Sequence, residues 1–298
     1  MAGVMNVASS NATPKPLSER QRAALVTLLG DEDPRVFAAI REHVLAQGPA
    51  AVDWLRPHLI SRDPVLRKRA RALVNELARR NADDRFLQFC LRCGENLDLE
   101  QGALLLAQTR DPDLNPEGYE ALLESYAATL RERIKPRSHA RTRLHLLNAF
   151  FQNDLTLLCS PEFALWPNAN YLNRVLDTSV ASPLAGGLLY LILGRRLGLP
   201  LTGIWLPDLF LCRFQSSTAE FFIDVSGDGA LLSRATAVRM VRSRIPGSRE
   251  ADLKPATERQ LLAALCAQLY AAHASEGEPE EAARLRRYQL ALERPRGA

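Results

Sequence analysis

The side chains able to do chemistry in this 298-residue chain are few and scattered. Thiol catalysis needs a cysteine beside an imidazole, with a carboxylate to orient the ring. The five cysteines are Cys90, Cys93, Cys159, Cys212 and Cys266, odd in number and irregular in spacing. They define no disulfide framework and suit a reducing cytosol. Cys90-Leu-Arg-Cys93 is a lone CxxC on a helical segment, and a zinc site would need a second pair, so no metal is expected. Cys212, between Leu211 and Arg213 in a strand-like run, reads as a packed thiol. His43, His58, His139, His145 and His273 show no metal-ligand spacing, and His139 and His145, six apart, do not share a helix face.

The remaining candidates are oxygen-bearing. Asp208, Asp224 and Asp228 surround short strand-like runs as a possible acidic cluster, although Asp224 capping local backbone and Asp228 supplying a turn is the simpler account. Ser182 stands just before Pro183, where a serine caps a helix whose first residue is proline. Gly227-Asp-Gly229 is too short to cradle a phosphate, no GxGxxG or P-loop pattern occurs, and no cofactor is expected. The cleft candidates are therefore Ser182, Asp208 and Asp224.

These residues must be positioned by helices and a few strands. Residues 1–16 are rich in Ser, Asn, Thr and Pro and read as a disordered tail. From Leu17 to about Arg80, apolar residues recur at three and four, for instance Val36, Ile40 and Val44, then Leu66, Ala70, Leu73 and Leu77. Asp33-Pro34 recurs as Asp63-Pro64, each an Asp cap before a proline. Such units suggest a short stack of helix pairs resembling HEAT repeats, within a helical region over 17–135. The strongest helices of its second half are 99–108 and 119–134. After Leu144 the composition shifts: 203–206, 209–214 and 220–224 read as strands, the last two joined through Gln215–Thr218 as a hairpin. Leu184 to Leu197 is apolar on nearly every side and hence a buried helix, stopped by Gly198 with Pro200 beyond. After Ser226–Gly229 the chain returns to helix. Residues 258–292 form two helices about Glu276–Pro279, similar to one tetratricopeptide-type hairpin. The divisions are thus 1–16, 17–135, 136–247 and 248–298.

Composition sets limits on function. With 47% hydrophobic and 24% charged residues, this is a soluble globular profile. The net charge of +4 predicts neither nucleic-acid nor membrane binding by itself. Lysine occurs only at Lys15, Lys68, Lys135 and Lys254, so the positive charge is nearly all arginine. Six basic residues cluster at Arg131, Arg133, Lys135, Arg137, Arg141 and Arg143, where a solvated surface is favoured over a nucleic-acid patch because no aromatic residue interleaves to stack bases. The first sixteen residues lack the basic start and apolar core of a signal peptide, and Arg195 and Arg196 interrupt the longest apolar stretch. A cytoplasmic protein without a membrane segment is the expectation.

The most informative stretch runs through Asn170-Tyr-Leu-Asn-Arg-Val-Leu-Asp177 and Ser182-Pro-Leu-Ala-Gly-Gly-Leu-Leu-Tyr-Leu191. It continues through Arg195–Pro200, Pro207-Asp-Leu-Phe-Leu211, Phe222-Ile-Asp224 and Leu231–Arg234. In this order and spacing it resembles the SirB-one family of transglutaminase-like proteins, relatives of the papain-like cysteine enzymes. The resemblance covers about Gly102 to Ala283, including Asp111–Leu114 and Leu253–Arg259. It implies a buried helix against a small antiparallel sheet, with a Cys at the helix start, a His on the next strand and an Asp on the following one in active members. Here those positions hold Pro183, Leu209 and Asp224; proline at the first is common in the SirB-one family.

The expected fold class is α+β, mainly α: a HEAT-like helical layer, a transglutaminase-like core and a C-terminal helical hairpin. The expected function is a catalytically degenerate protein-interaction or regulatory module with a protein or peptide partner. A hydrolase or acyl transferase with a relocated nucleophile, Ser182 or Cys212 working with Asp224, is the alternative. Nucleic-acid binding through the Arg-rich helical layer ranks third.

Overall fold

The computed structural model describes residues 17–135, 137–206, 209–227, 229–245, 247–249 and 253–293, and the statements below concern these residues. The chain forms two compact units that divide between Asp83 and Asp84.

The first unit is helical: α1 (Glu19–Leu29), α2 (Pro34–Ala46), α3 (Ala50–Leu55), a 3₁₀ turn (Arg56–Ile60) and the first part of α4 (Pro64–Arg92). Local chemistry explains the starts. Ser18 and Gln21 form a capping box on α1, Asp33 accepts the Arg35 N–H at 2.8 Å, and Asp63 accepts the Val65 N–H at 2.8 Å. Leu29, Ile40, Val44, Leu55, Leu73 and Leu77 close the core of this unit. α4 runs unbroken for 29 residues, since no proline or glycine interrupts it after Pro64.

The second unit contains the strands. Three helices come first: α5 (Leu99–Arg110), α6 (Pro116–Arg133) and α7 (Ala140–Ala149), the last running into a π-turn at Phe150–Asp154. Then β1 (Leu158–Cys159), α8 (Leu172–Thr178) and β2 (Val180–Ala181) lead into α9 (Pro183–Arg196). β1 and β2 pair in parallel, Leu158 opposite Val180 and Cys159 opposite Ala181. The main sheet is an antiparallel meander of β3 (Leu201–Leu206), β4 (Leu209–Gln215), β5 (Glu220–Asp224) and β6 (Leu231–Leu232). The helix expected after Gly229 thus starts only after a two-residue strand, as α10 (Arg234–Arg244). The hairpin of α11 (Glu258–Ser275) and α12 (Pro279–Glu293) follows. No helix among the described residues is long and apolar enough to cross a membrane.

α9 is the central element. It is buried from Pro183 through Gly194 and ends where Gly198, at φ +64°, lets Leu199 donate back to the Gly194 carbonyl at 2.9 Å. Alternation along the meander divides its two faces. Phe210, Cys212, Phe214 and Ile223 join the large core with α9, while Ile204, Leu209, Leu211 and Phe222 pack on the other side with Ala237, Val241 and Leu253. Gly187 makes the close approach of α9 to the sheet possible, because a Cβ there would overlap the Phe210 ring.

A buried cation ties the hairpin to this core. Arg259, 6% exposed, donates to the carbonyls of Cys90 (2.9 Å) and Cys93 (2.8 Å) at the end of α4 and of Ala291 (2.9 Å) and Leu292 (2.7 Å) near the end of α12. Two helix C-termini, each carrying partial negative charge, take the place of a carboxylate partner.

Gly187→Ala should destabilise the protein by about 1–3 kcal/mol, the usual cost of overpacking. In urea unfolding, Gly187→Ala combined with Phe210→Leu should lose less than the sum of the two single changes, by about 1 kcal/mol. Strict additivity would remove this contact from the account.

Candidate active site

In the chemistry that the resemblance implies, the reacting groups would gather at the start of α9. Ser182 caps that helix, its hydroxyl accepting the Ala185 N–H at 3.2 Å. The side chain is fully buried, donates to Asn170 Oδ1 at 2.7 Å and accepts from Gln268 Nε2 at 2.8 Å, while Gln268 also binds Asn170 Oδ1. Every hydrogen-bonding capacity of the hydroxyl is thereby used by neutral amides. The next residue, Pro183, has neither a nucleophile nor an N–H.

Leu209, at the histidine position of the resemblance, is completely buried on the face of the sheet opposite α9. Asp224, 6% exposed, lies on that same side, opposite Leu211 in the strand register. Its Oδ1 accepts the Ser226 N–H at 3.0 Å, and its Oδ2 accepts the Arg244 guanidinium at 3.0 Å. Among the described residues no serine hydroxyl, thiol or imidazole hydrogen-bonds this carboxylate. The structure therefore does not join Ser182 and Asp224: the hydroxyl caps α9, and the carboxylate lies on the sheet face away from that helix. Asp208 and Asp228, the other members of the supposed acidic cluster, lie outside the described residues. Cys212 is fully buried on the α9 side, and burial pushes its thiol far up from the ordinary range.

No spacing pattern singles out Cys159. Its thiol sits beside the first turn of α9, donating to the Ser182 carbonyl at 3.5 Å and packing where a Cβ on Gly186 would be 3.0 Å away. It lines a groove of about 490 Å³ with Gln152, Thr156, Leu158, Val225 and Ser226 among others. Thr156 reaches this wall in a left-handed conformation, φ +47°, just past the π-turn. Burial pushes the Cys159 thiol up to about 12, and the Asp224 charge adds to the push. That is the reverse of what an activated nucleophile requires.

The polar residues of the Asn170–Asp177 stretch have tertiary duties of their own. Asn170 also donates to the carbonyls of Ala164 (3.1 Å) and Trp166 (2.8 Å). The Tyr171 hydroxyl and His273 Nε2 share a hydrogen bond of 3.0 Å. Arg174 lies 3.7 Å from Asp111, and the Tyr119 hydroxyl bridges both oxygens of Asp177 at 3.0 Å. Among the described residues His273, Glu276 and Glu278 are near enough to one another to hold a metal ion. Both imidazole nitrogens are already engaged, however, Nδ1 by Glu278 at 2.7 Å and Nε2 by Tyr171. The His273 hydrogen bond, helped by Arg110, holds the Glu278 carboxyl below the usual range.

A buried helix capped by Ser-Pro, lying across an antiparallel meander with an aspartate at the end of its third strand, is a transglutaminase-like arrangement. The chain belongs to the transglutaminase-like superfamily, whose model matches residues 117–267. Within it the chain is similar to bacterial UPF0162 proteins. It is 27% identical to one from Xylella fastidiosa strain 9a5c over 196 residues, covering 64% of this chain and 70% of the relative. It is 28% identical over 202 residues to one from Pseudomonas aeruginosa, covering 64% and 72%. No solved structure matches the chain.

Two measurements follow from this geometry. Ser182→Ala removes the helix cap and takes one hydrogen-bond partner each from Asn170 and Gln268, which keep one another, and should cost about 1–2 kcal/mol in urea unfolding. A loss under about 0.5 kcal/mol would mean that the node is not formed. For Cys159, the raised value leaves roughly a thousandfold less thiolate than an ordinary cysteine carries at the same pH. Its alkylation by iodoacetamide in the folded protein should climb about tenfold per pH unit from 7.5 to 9.5 without levelling, whereas the unfolded chain levels off. A plateau below pH 9 in the folded protein would contradict the assignment.

Proposed function

We propose that this chain is a catalytically degenerate transglutaminase-like protein of the SirB-one type, acting in the cytoplasm as a protein-interaction or regulatory module. The observation that carries this reading is the state of Asp224. The carboxylate that would orient an imidazole is bound instead to Arg244 and to the Ser226 N–H. Pro183 and Leu209 support it, since neither can act as nucleophile or base. The helical first unit, read as HEAT-like, and the α11–α12 hairpin, read as tetratricopeptide-like, add surfaces of a kind that binds proteins.

A hydrolase or acyl transferase with a relocated nucleophile is the competing reading, and one observation favours it: Cys159 lies against the first turn of α9 on an open groove. Its raised thiol weighs against that use.

Treatment of the folded protein at pH 7.5 with an iodoacetamide-alkyne and a fluorophosphonate probe separates the two. The interaction reading expects no stoichiometric modification of Cys159, Cys212 or Ser182, together with reproducible capture of a protein partner from a bacterial lysate. Stoichiometric modification of any of the three that disappears in Asp224→Ala would make the protein an enzyme.

A further inference from the structure

Six basic residues fall within 131–143, and the structure divides them into two groups. Arg131 pairs with Glu124 at 2.7 Å and donates to the Arg196 carbonyl at 3.0 Å. Arg133 holds both oxygens of Asp154 at 2.7 and 2.6 Å, and Arg143 donates through Nε to the Ser138 carbonyl at 3.0 Å. These three have local work. Lys135, Arg137 and Arg141 are exposed and pair with no carboxylate among the described residues.

Local helix electrostatics account for Arg131 and Arg133, which lie in the last turn of α6. α6 ends at Arg133 and α9 at Arg196, and cations suit helix C-termini. Lys135 and Arg137 lie beyond the end of α6. Arg141 lies in the first turn of α7, an end where a cation is disfavoured. The charge of Arg141 is therefore held against the local preference of the backbone.

Lys135 also borders a notch, and Arg137 and Arg141 follow it in the same exposed segment. The notch encloses about 180 Å³ between Arg131, Lys135 and Arg143, with Ile134, Leu197 and Leu199 as an apolar floor. The left-handed turn at Gly198 sets Leu197 and Leu199 on either side of the end of α9. A floor of this kind suits one aliphatic side chain, and the surrounding cations suit carboxylates next to it. Nucleic acid fits less well: no Phe, Tyr or Trp occurs between residues 127 and 149 to stack a base, and a phosphate chain has no use for an apolar floor.

We propose that this notch docks a short acidic segment of a partner protein, one leucine-sized side chain on Ile134, Leu197 and Leu199, one carboxylate on Lys135 at the rim, and the acidic residues that follow on the adjoining Arg137 and Arg141. The proposal gives a partner class to the interaction reading above and rests on it, yet it fails or stands by a different measurement from the probe reaction.

The test is fluorescence anisotropy on the full chain. The probe is a fluorescein-labelled eight-residue peptide of aspartate and glutamate with two leucines. It should bind saturably and weaken severalfold between 50 and 300 mM salt, since exposed charges are screened. Lys135→Glu with Arg141→Glu should weaken it at least tenfold while circular dichroism and Tm stay unchanged. Serine in place of the two leucines should weaken it at least threefold. No saturable binding, or binding unchanged by the charge reversals, would overturn the proposal. Equal affinity of the serine peptide would overturn it as well, by removing the notch. Tighter binding of a twelve-nucleotide oligouridylate than of the leucine peptide would reassign the patch to nucleic acid.

Discussion

The second unit depends on a buried hydroxyl. Ser182 Oγ caps α9, donates to Asn170 and accepts from Gln268, so one oxygen joins the start of the central helix, the turn before α8 and the middle of α11. The hydroxyl is fully buried, so losing any one of these partners is costly, and the three bonds support one another. The rest of the recognisable stretch works in the same way. Tyr171 reaches His273, Arg174 reaches Asp111 and Asp177 reaches Tyr119, each contact crossing to a different element. The residues that mark the family in this chain are, by their contacts, those that assemble it.

That use of the helix start leaves little for chemistry. A papain-like site needs a thiolate where a helix N-terminus and an imidazole can stabilise it. Here the first turn of α9 is occupied by its own cap and by a proline. The neighbouring thiol of Cys159 meets a carbonyl and a negative charge rather than a cation. The cation that is present, Arg244, lies with the carboxylate on the far side of the sheet. A guanidinium does not relay a proton as an imidazole does, and here it holds the carboxylate as an ion pair.

Much of this framework was legible in the residues. Ser182-Pro183 at one end and Gly198 at the other bounded α9 because capping is a local, backbone-level requirement. β3, β4 and β5 are long enough for alternation to register. β1, β2 and β6 have two residues each, and no periodicity can be read from two positions, so Cys159 had no visible route to α9. Leu209 pairs with nearby Leu206, but what covers its face of the sheet, Ala237, Val241 and Leu253, lies far along the chain. Arg244 and Gln268 reach their partners across 20 and 86 residues, distances at which a single sequence carries no spacing signal.

Arg259 bears on how the chain comes to be folded. Two of the four carbonyls that hold it belong to Ala291 and Leu292. Until those residues have been synthesised and have left the ribosome, the guanidinium has only the end of α4 to bind, and burying it would strand a charge. The interior of the second unit therefore closes late, after α12 is available, whatever secondary structure forms earlier. Nascent α9, apolar on every side, lacks its contact with α11 for that interval. A chain built this way has a period of vulnerability during synthesis that its finished, well-filled core does not reveal.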